Sequence, residues 1–261
     1  MLDSVIIIPI SMAKALVEKF HYSKVFPSIN KFAIGGFIND KLVATMMLGY
    51  GTRPKHTIKK IFPTLDTKDY IELGKLCVDD DCPRNTESFF ISRCIRLIKT
   101  EYPEYKLLFS WADGIVGKSG YVYQSSNFYY GGYIWTEMYI DGKGNRVHPR
   151  TMQGISEGEK AEGTKFKSRA YNVTKAMGYQ KYFGLQFRYV YPLCGKREWK
   201  HLLETSPYQW KMNGYPKDKD CVWKIQVDKG KREDCEKPPF LTTNYVDKED
   251  KKGTYFDMFR R

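Results

Sequence analysis

Two periods of apolar and polar positions alternate along the chain. Ser4–Ile10 is a short β-branched run around Pro9, as in a buried strand. Ser11 then predicts a helix cap, with Met12, Ala15, Leu16 and Phe20 along one helical face. Phe32–Ile38 and Leu42–Leu48 are apolar runs joined by Asn39-Asp40, two residues that accept the backbone of a tight hairpin turn. Ile71–Val78 predicts a fourth strand, and Asn85 opens a helix reaching about Thr100. Leu107–Trp111 predicts a buried strand and Gly117–Ser126 a short helix. Tyr133–Ile140 and Arg146–Arg150 predict a hairpin around Asp141-Gly142-Lys143-Gly144. This order of elements gives an α/β fold with a central mixed β-sheet flanked by helices.

Beyond residue 150 the pattern changes. Gln153–Gly163 is rich in Gly and Glu and reads as a mobile stretch. A helix over Ser168–Met177, a strand over Phe187–Tyr191 and a basic helix over Lys196–Leu203 are expected next. From Lys211 the chain is charged and poor in aliphatic residues, which predicts an irregular appendage. Three parts follow: a core over 1–150, a basic, aromatic-rich extension over 151–205 packing on it, and the appendage over 206–261.

Charge sharpens this division. The 261 residues carry Lys+Arg 43 against Asp+Glu 30, a formal +13, and residues 141–201 hold 13 basic and 5 acidic side chains of that total. That stretch also carries Tyr171, Tyr179, Tyr182, Phe183, Phe187, Tyr189 and Tyr191. Cations interleaved with aromatics suit a polyanion with stackable bases, and they equally suit a solvated basic face on an enzyme. An apolar content of 42% excludes a disordered chain, and no apolar run approaches the roughly 20 residues of a membrane-spanning helix. Six cysteines without paired spacing fit reduced thiols in a cytoplasmic protein.

The order of elements up to residue 150 resembles the GNAT acyltransferase fold. In that fold the turn after the fourth strand wraps the pyrophosphate of a CoA donor, and the next helix offers its N-terminal amides to it. Here the turn is Asp81-Cys82-Pro83-Arg84-Asn85-Thr86-Glu87. The usual glycine-rich signature is missing, and the same residues also suit a plain helix cap. The resemblance implies acetyl-CoA or a related acyl donor held by Arg84, Asn85 and Thr86, with Ser119 and Asn127 completing the set. Tyr123, Asn127 and Phe128 reproduce the spacing of a late GNAT helix whose tyrosine protonates a leaving thiolate, with Asn where Gly is usual. A core tyrosine is the other reading of Tyr123.

A more specific resemblance lies in Phe109-Ser110-Trp111-Ala112-Asp113-Gly114, Gly117, Gly120 and Tyr123-Gln124-Ser125-Ser126-Asn127-Phe128, with Phe20-His21-Tyr22-Ser23 upstream. Leu73–Asp79 and Phe187–Leu193 add to it. Together these words resemble the Mom family of bacteriophage DNA-modifying proteins over roughly residues 10–205. The resemblance implies attachment of a methylcarbamoyl group to the exocyclic amine of adenine in double-stranded DNA, as a shield against restriction in the bacterial host. It also implies catalytic roles for His21, Tyr22, Asp113 and Tyr123. His21 would titrate near neutrality and act as a base. Asp113 would orient or deprotonate the amine, unless it serves as a cap or turn former. A redox metal such as iron has His21, Tyr22, Asp113 and His148 as hypothetical ligands. His148, Arg150, Lys165, Lys167, Arg169, Arg188, Lys196, Arg197 and Lys200 would contact phosphates. The competing readings are an N-acyltransferase of the same fold acting on a small amine or protein, and a non-catalytic DNA-binding protein.

Overall fold

The computed structural model describes residues 2–147, 149 and 171–239, apart from 24, 28 and 52. Its strands are β1 (Ser4–Ile8), β2 (Ile29–Ile38), β3 (Lys41–Tyr50), β4 (Tyr70–Val78), β5 (Leu107–Ala112), β6 (Tyr129–Ile140), β7 (Arg146–Val147), β8 (Gln180–Pro192), β9 (Trp223–Asp228) and β10 (Lys231–Cys235). The helices are α1 (Ile10–Phe20), α2 (Pro54–Ile61), α3 (Thr86–Glu101), α4 (Tyr121–Gln124), α5 (Tyr171–Ala176) and α6 (Lys196–Thr205). The ten strands among the described residues join one mixed sheet in the order β1-β2-β3-β4-β5-β8-β6-β7, with the β9–β10 hairpin on β8. This is the expected α/β architecture.

Side-chain alternation divides the core between the two faces of the sheet. Ala33 and Met47 point toward α1, which buries Ala13, Leu16 and Val17. Their neighbours Ile34, Met46 and Leu48 point the other way and meet Phe90, Ile91, Cys94 and Ile98 of α3. Beside α1, on its face of the sheet, α2 and α6 cover Tyr70, Leu107, Phe109 and Val190. The β2–β3 turn has Asn39 and Asp40 at φ 47 and 60, the left-handed backbone expected of that pair.

Several elements depart from expectation. Helix α1 starts after Pro9, so Ser11 lies inside its first turn and caps nothing. Helix α2 carries no expectation from the sequence. The helix expected over Gly117–Ser126 is broken, because Gly117 and Gly120 take φ of 83 and 91 and leave only the single turn of α4. Strand β8 is far longer than Phe187–Tyr191 and stands inside the sheet, between β5 and β6. The expected irregular appendage includes the β9–β10 hairpin, whose charged residues hid its alternation. Gln153–Gly163 and most of the helix start near Ser168 lie outside the described residues. Among those described, no helix is long and apolar enough to cross a membrane.

Candidate active site

The site opens where β4 and β5 part. They run parallel and pair from Tyr70↔Leu107 to Leu73↔Ser110, and no further. The cause is a bulge: Leu73 faces Leu48 on β3 and Lys75 faces Met47, which leaves Gly74 as the extra residue. An extra residue flips the alternation, so Ile71 and Leu73 sit in the α3-side core while Cys77 sits in the α1-side core. Glycine fits here because a Cβ on Gly74 would lie 2.8 Å from the Pro27 ring. Past the bulge β4 stays with β3, β5 stays with β8, and a wedge opens between them.

A cleft of about 1580 Å³ fills the wedge, lined by Leu73–Val78 on one wall and Trp111, Ala112 and Asp113 on the other. That exceeds the few hundred to about 1,000 Å³ of an ordinary small-molecule site and leaves room for two reactants. The cleft brings together His21, Tyr22, Asp113 and Tyr123, the four residues expected to be catalytic. Asp113 precedes a 3-10 turn, Gly114–Val116, but its side chain does not cap it. Instead the Tyr22 hydroxyl donates to Oδ2 at 2.6 Å and Gln186 Nε2 donates to Oδ1 at 3.2 Å. The Tyr22 hydroxyl is pushed well above the ordinary phenol range, first by burial and then by the Asp113 charge, so it remains a donor.

His21 stacks on Tyr22, ring centroids 4.4 Å apart. Its Nδ1 lies 2.9 Å from both the nitrogen and the oxygen of Ser23, which fixes the ring. The Ser23 carbonyl also accepts from the buried Lys75 Nζ at 2.9 Å. Titration near neutrality does not hold: burial above all, and then the Lys75 charge, push His21 down to about 3. The ring is neutral at physiological pH and a weak base. Tyr123 is buried, with its hydroxyl 2.8 Å from Ser110 Oγ. Burial pushes it up to about 12, and the charges of Asp113 and Glu72 add to the rise. It therefore enters any reaction as a protonated phenol.

The residues expected to hold a donor separate into two groups. Arg84, Asn85 and Ser119 line the cleft. Asn85 has φ 70 at the start of α3 and makes no side-chain cap. Ser119 is fully buried and gives its hydroxyl to Asp218 Oδ1 at 2.6 Å, while its backbone N–H donates to the same oxygen at 2.9 Å. Thr86 is buried away from the cleft, its hydroxyl donating to the Pro83 carbonyl at 2.7 Å. Asn127, at φ 60, occupies the left-handed position closing α4, where Phe128 N–H returns to the Tyr123 carbonyl at 3.0 Å. That backbone explains why Asn can replace Gly in the tyrosine pattern.

The expected phosphate contacts need one correction. Arg188 is buried, donating to the carbonyls of Gly131 at 2.9 Å and Tyr133 at 3.1 Å, with Tyr208 stacked 4.1 Å beneath its guanidinium. It braces a bulge in β6 and does not line the cleft. Lys196, Arg197 and Lys200 are exposed on α6. His148, Arg150, Lys165, Lys167 and Arg169 lie outside the described residues. Among the described residues no three His, Cys, Asp or Glu side chains gather as a metal-binding set. Of the hypothetical iron ligands, Tyr22 and Asp113 are bonded to each other and His21 Nδ1 is held by Ser23.

Three cleft residues escaped sequence reasoning: Glu72 on β4, Gln186 on β8 and the exposed Tyr121. A carboxylate flanked by Ile71 and Leu73, and an amide flanked by Leu185 and Phe187, are the signals that could have marked two of them. Of the aromatics near the cleft, Trp135 lines it with 41% of its surface exposed, whereas Tyr139 is buried in the core.

A family model described as the Mom protein family matches residues 4–217. Over 148 residues the chain is 33% identical to "Methylcarbamoylase mom" of Escherichia phage Mu, a stretch covering 56% of this chain and 60% of that protein. Among solved structures, an N-acetyltransferase from Staphylococcus aureus Mu50 aligns with a TM-score of 0.37 and 11% identity, covering 73% of this chain and 97% of that one. With a family match spanning most of its length, the chain belongs to the Mom protein family.

Proposed function

We propose that this protein is a phage DNA-modifying transferase acting in the cytoplasm of the bacterial host. In this reading it attaches a methylcarbamoyl group to the exocyclic amine of adenine in double-stranded DNA and so protects that DNA from restriction. The observation that carries the reading is the Tyr22–Asp113–Gln186 constellation at the mouth of the β4–β5 wedge, with Tyr123 in the same cleft. Adenine's amine is a poor nucleophile because its lone pair is delocalised into the ring. It gains from a fixed carboxylate that accepts a hydrogen bond from the N–H and then takes the proton. Tyr22 and Gln186 hold the two oxygens of that carboxylate in one orientation. Tyr123, a phenol of about 12, donates a hydrogen bond to the departing group without losing its proton beforehand.

Arg84, Asn85 and the first amides of α3 suit the phosphates of a CoA-type donor, and the open edge of β4 beyond Gly74 suits the rest of it. Such a donor, when bound, supplies the activated carbonyl. Acetyl-CoA alone is not sufficient, because an acetyl group lacks the nitrogen of methylcarbamoyl; the transfer balances with a donor whose carbonyl already bears the methylamino group and whose leaving group departs as the amine attacks. The base must leave the duplex to reach the cleft, and Trp135 and Tyr121 offer exposed rings on which it can stack.

Nucleoside mass spectrometry of plasmid DNA from cells expressing the chain, with Asp113→Asn alongside, tests this reading. A deoxyadenosine heavier by one methylcarbamoyl group should appear with the wild-type chain and vanish with the variant. Unmodified DNA, together with CoA-dependent acylation of a small amine, would instead establish the rival transferase.

A further inference from the structure

Helix α2 stands at the opposite end of β4 from the site assigned to the donor's phosphates. It precedes the first residue of β4, whereas α3 follows the last. Nine strand residues, about 30 Å, separate the two ends. Arg53, His56 and Thr57 line the cleft, so α2 forms its rim at that end.

The helix is strongly basic. Arg53, Lys55, His56, Lys59 and Lys60 fall within nine positions containing no acid, and among the described residues Lys59 pairs with Asp66 at 2.9 Å. Ile58 and Ile61 are buried, whereas Arg53, Lys55, His56 and Lys60 are exposed. The fold adds a second set of cations to these. α6 buries Trp199 and Leu202 in the same core, Phe62 stacks on Trp210 at 5.2 Å, and Ser206 Oγ donates to the Ile61 carbonyl at 2.6 Å. Two helices sharing one core on one face of the sheet turn their polar sides the same way. Lys196, Arg197 and Lys200 are exposed on α6, with Lys200 3.9 Å from Glu204.

We infer that α2 is a backbone-gripping helix for double-stranded DNA, with α6 continuing its track, and that it holds the duplex while the base enters the cleft. The inference rests on the DNA-modification reading and adds the residues that position the substrate. Cations spread over a helix about 12 Å long match several phosphates at 3.4 Å of rise per base pair, more than one diphosphate would need.

Anisotropy of a fluorescent duplex, titrated with protein across a salt series, tests it with Lys55→Ala/Lys60→Ala and, as a control, Lys219→Ala/Lys229→Ala. All four lysines are exposed, so equal thermal midpoints verify that both variants fold. The α2 variant should bind at least about tenfold more weakly in low salt, and its slope of log affinity against log salt should fall by about 2. The control should match the wild type. If the wild type binds DNA and the α2 variant binds with the same slope, the inference fails while the modification reading stands. Unchanged DNA binding with weakened CoA binding would overturn it by assigning α2 to the donor. If the wild type binds no duplex at any salt, both fail.

Discussion

His21 shows how little a residue's type says about its charge. In the sequence it is a neutral-pH titrator beside a tyrosine, but in the fold it is stacked on Tyr22 with Nδ1 tied to Ser23 and Lys75 nearby. Its folded pKa is about 3 against an ordinary 6.5, so between these values the unfolded chain binds a proton that the folded chain refuses. The contribution to stability is whole above pH 6.5 and declines as the pH falls toward 3, by about 1.4 kcal/mol per pH unit. His21→Gln should remove this dependence. In urea unfolding, the wild type should lose about 2 kcal/mol more than the variant between pH 7 and pH 5. Equal losses would place the ring in water. Short sequence words identified His21, Tyr22, Asp113 and Tyr123 as a group. They could not identify Gln186 or Ser110, which become partners only when β8 and β5 pair and α4 folds over them.

Bulges shape both the cleft and the sheet around it, and neither bulge was legible beforehand, because a glycine in a strand does not announce its register. Gly74 sends β4 away from β5. On β6 the register shifts between Tyr130 and Tyr133, and Arg188 on the facing strand spans the gap to the carbonyls of Gly131 and Tyr133. A basic residue in a basic stretch reads as a phosphate contact, but its position at the bulge turns it inward. Arg188→Leu leaves two carbonyls without their partner and should cost about 2 kcal/mol or more, seen as a thermal midpoint several degrees lower. Its salt slope for DNA should equal that of the wild type. A reduced slope at unchanged stability would return Arg188 to the DNA-facing surface.

Chain order and fold order part company in the second half of the molecule, and this decides what can fold alone. The pattern of elements suggested a core ending near residue 150, because βα units up to that point account for a plausible sheet. The strand that fills the sheet's middle comes later: β8 pairs with β5 from Leu107↔Pro192 to Ala112↔Phe187 and with β6 from Tyr129↔Val190 to Ile140↔Gln180. It also supplies Leu185, Phe187 and Tyr189 to one core and Val190 to another. Its sequence is as apolar as a central strand should be, but the basic residues around it made the region read as an add-on. A chain cut after residue 150 would leave β6 with only the two-residue β7 as a neighbour and expose the edge of β5 and the apolar faces of both cores. Residues 1–150 expressed alone should therefore aggregate or unfold without a cooperative transition. Co-expression with residues 151–261 should restore a soluble complex with one melting transition, because the two pieces share a single sheet. A soluble 1–150 fragment with dispersed amide resonances and its own sharp melt would mean that β5 and β6 close without β8, and that the sheet is built in two independent halves.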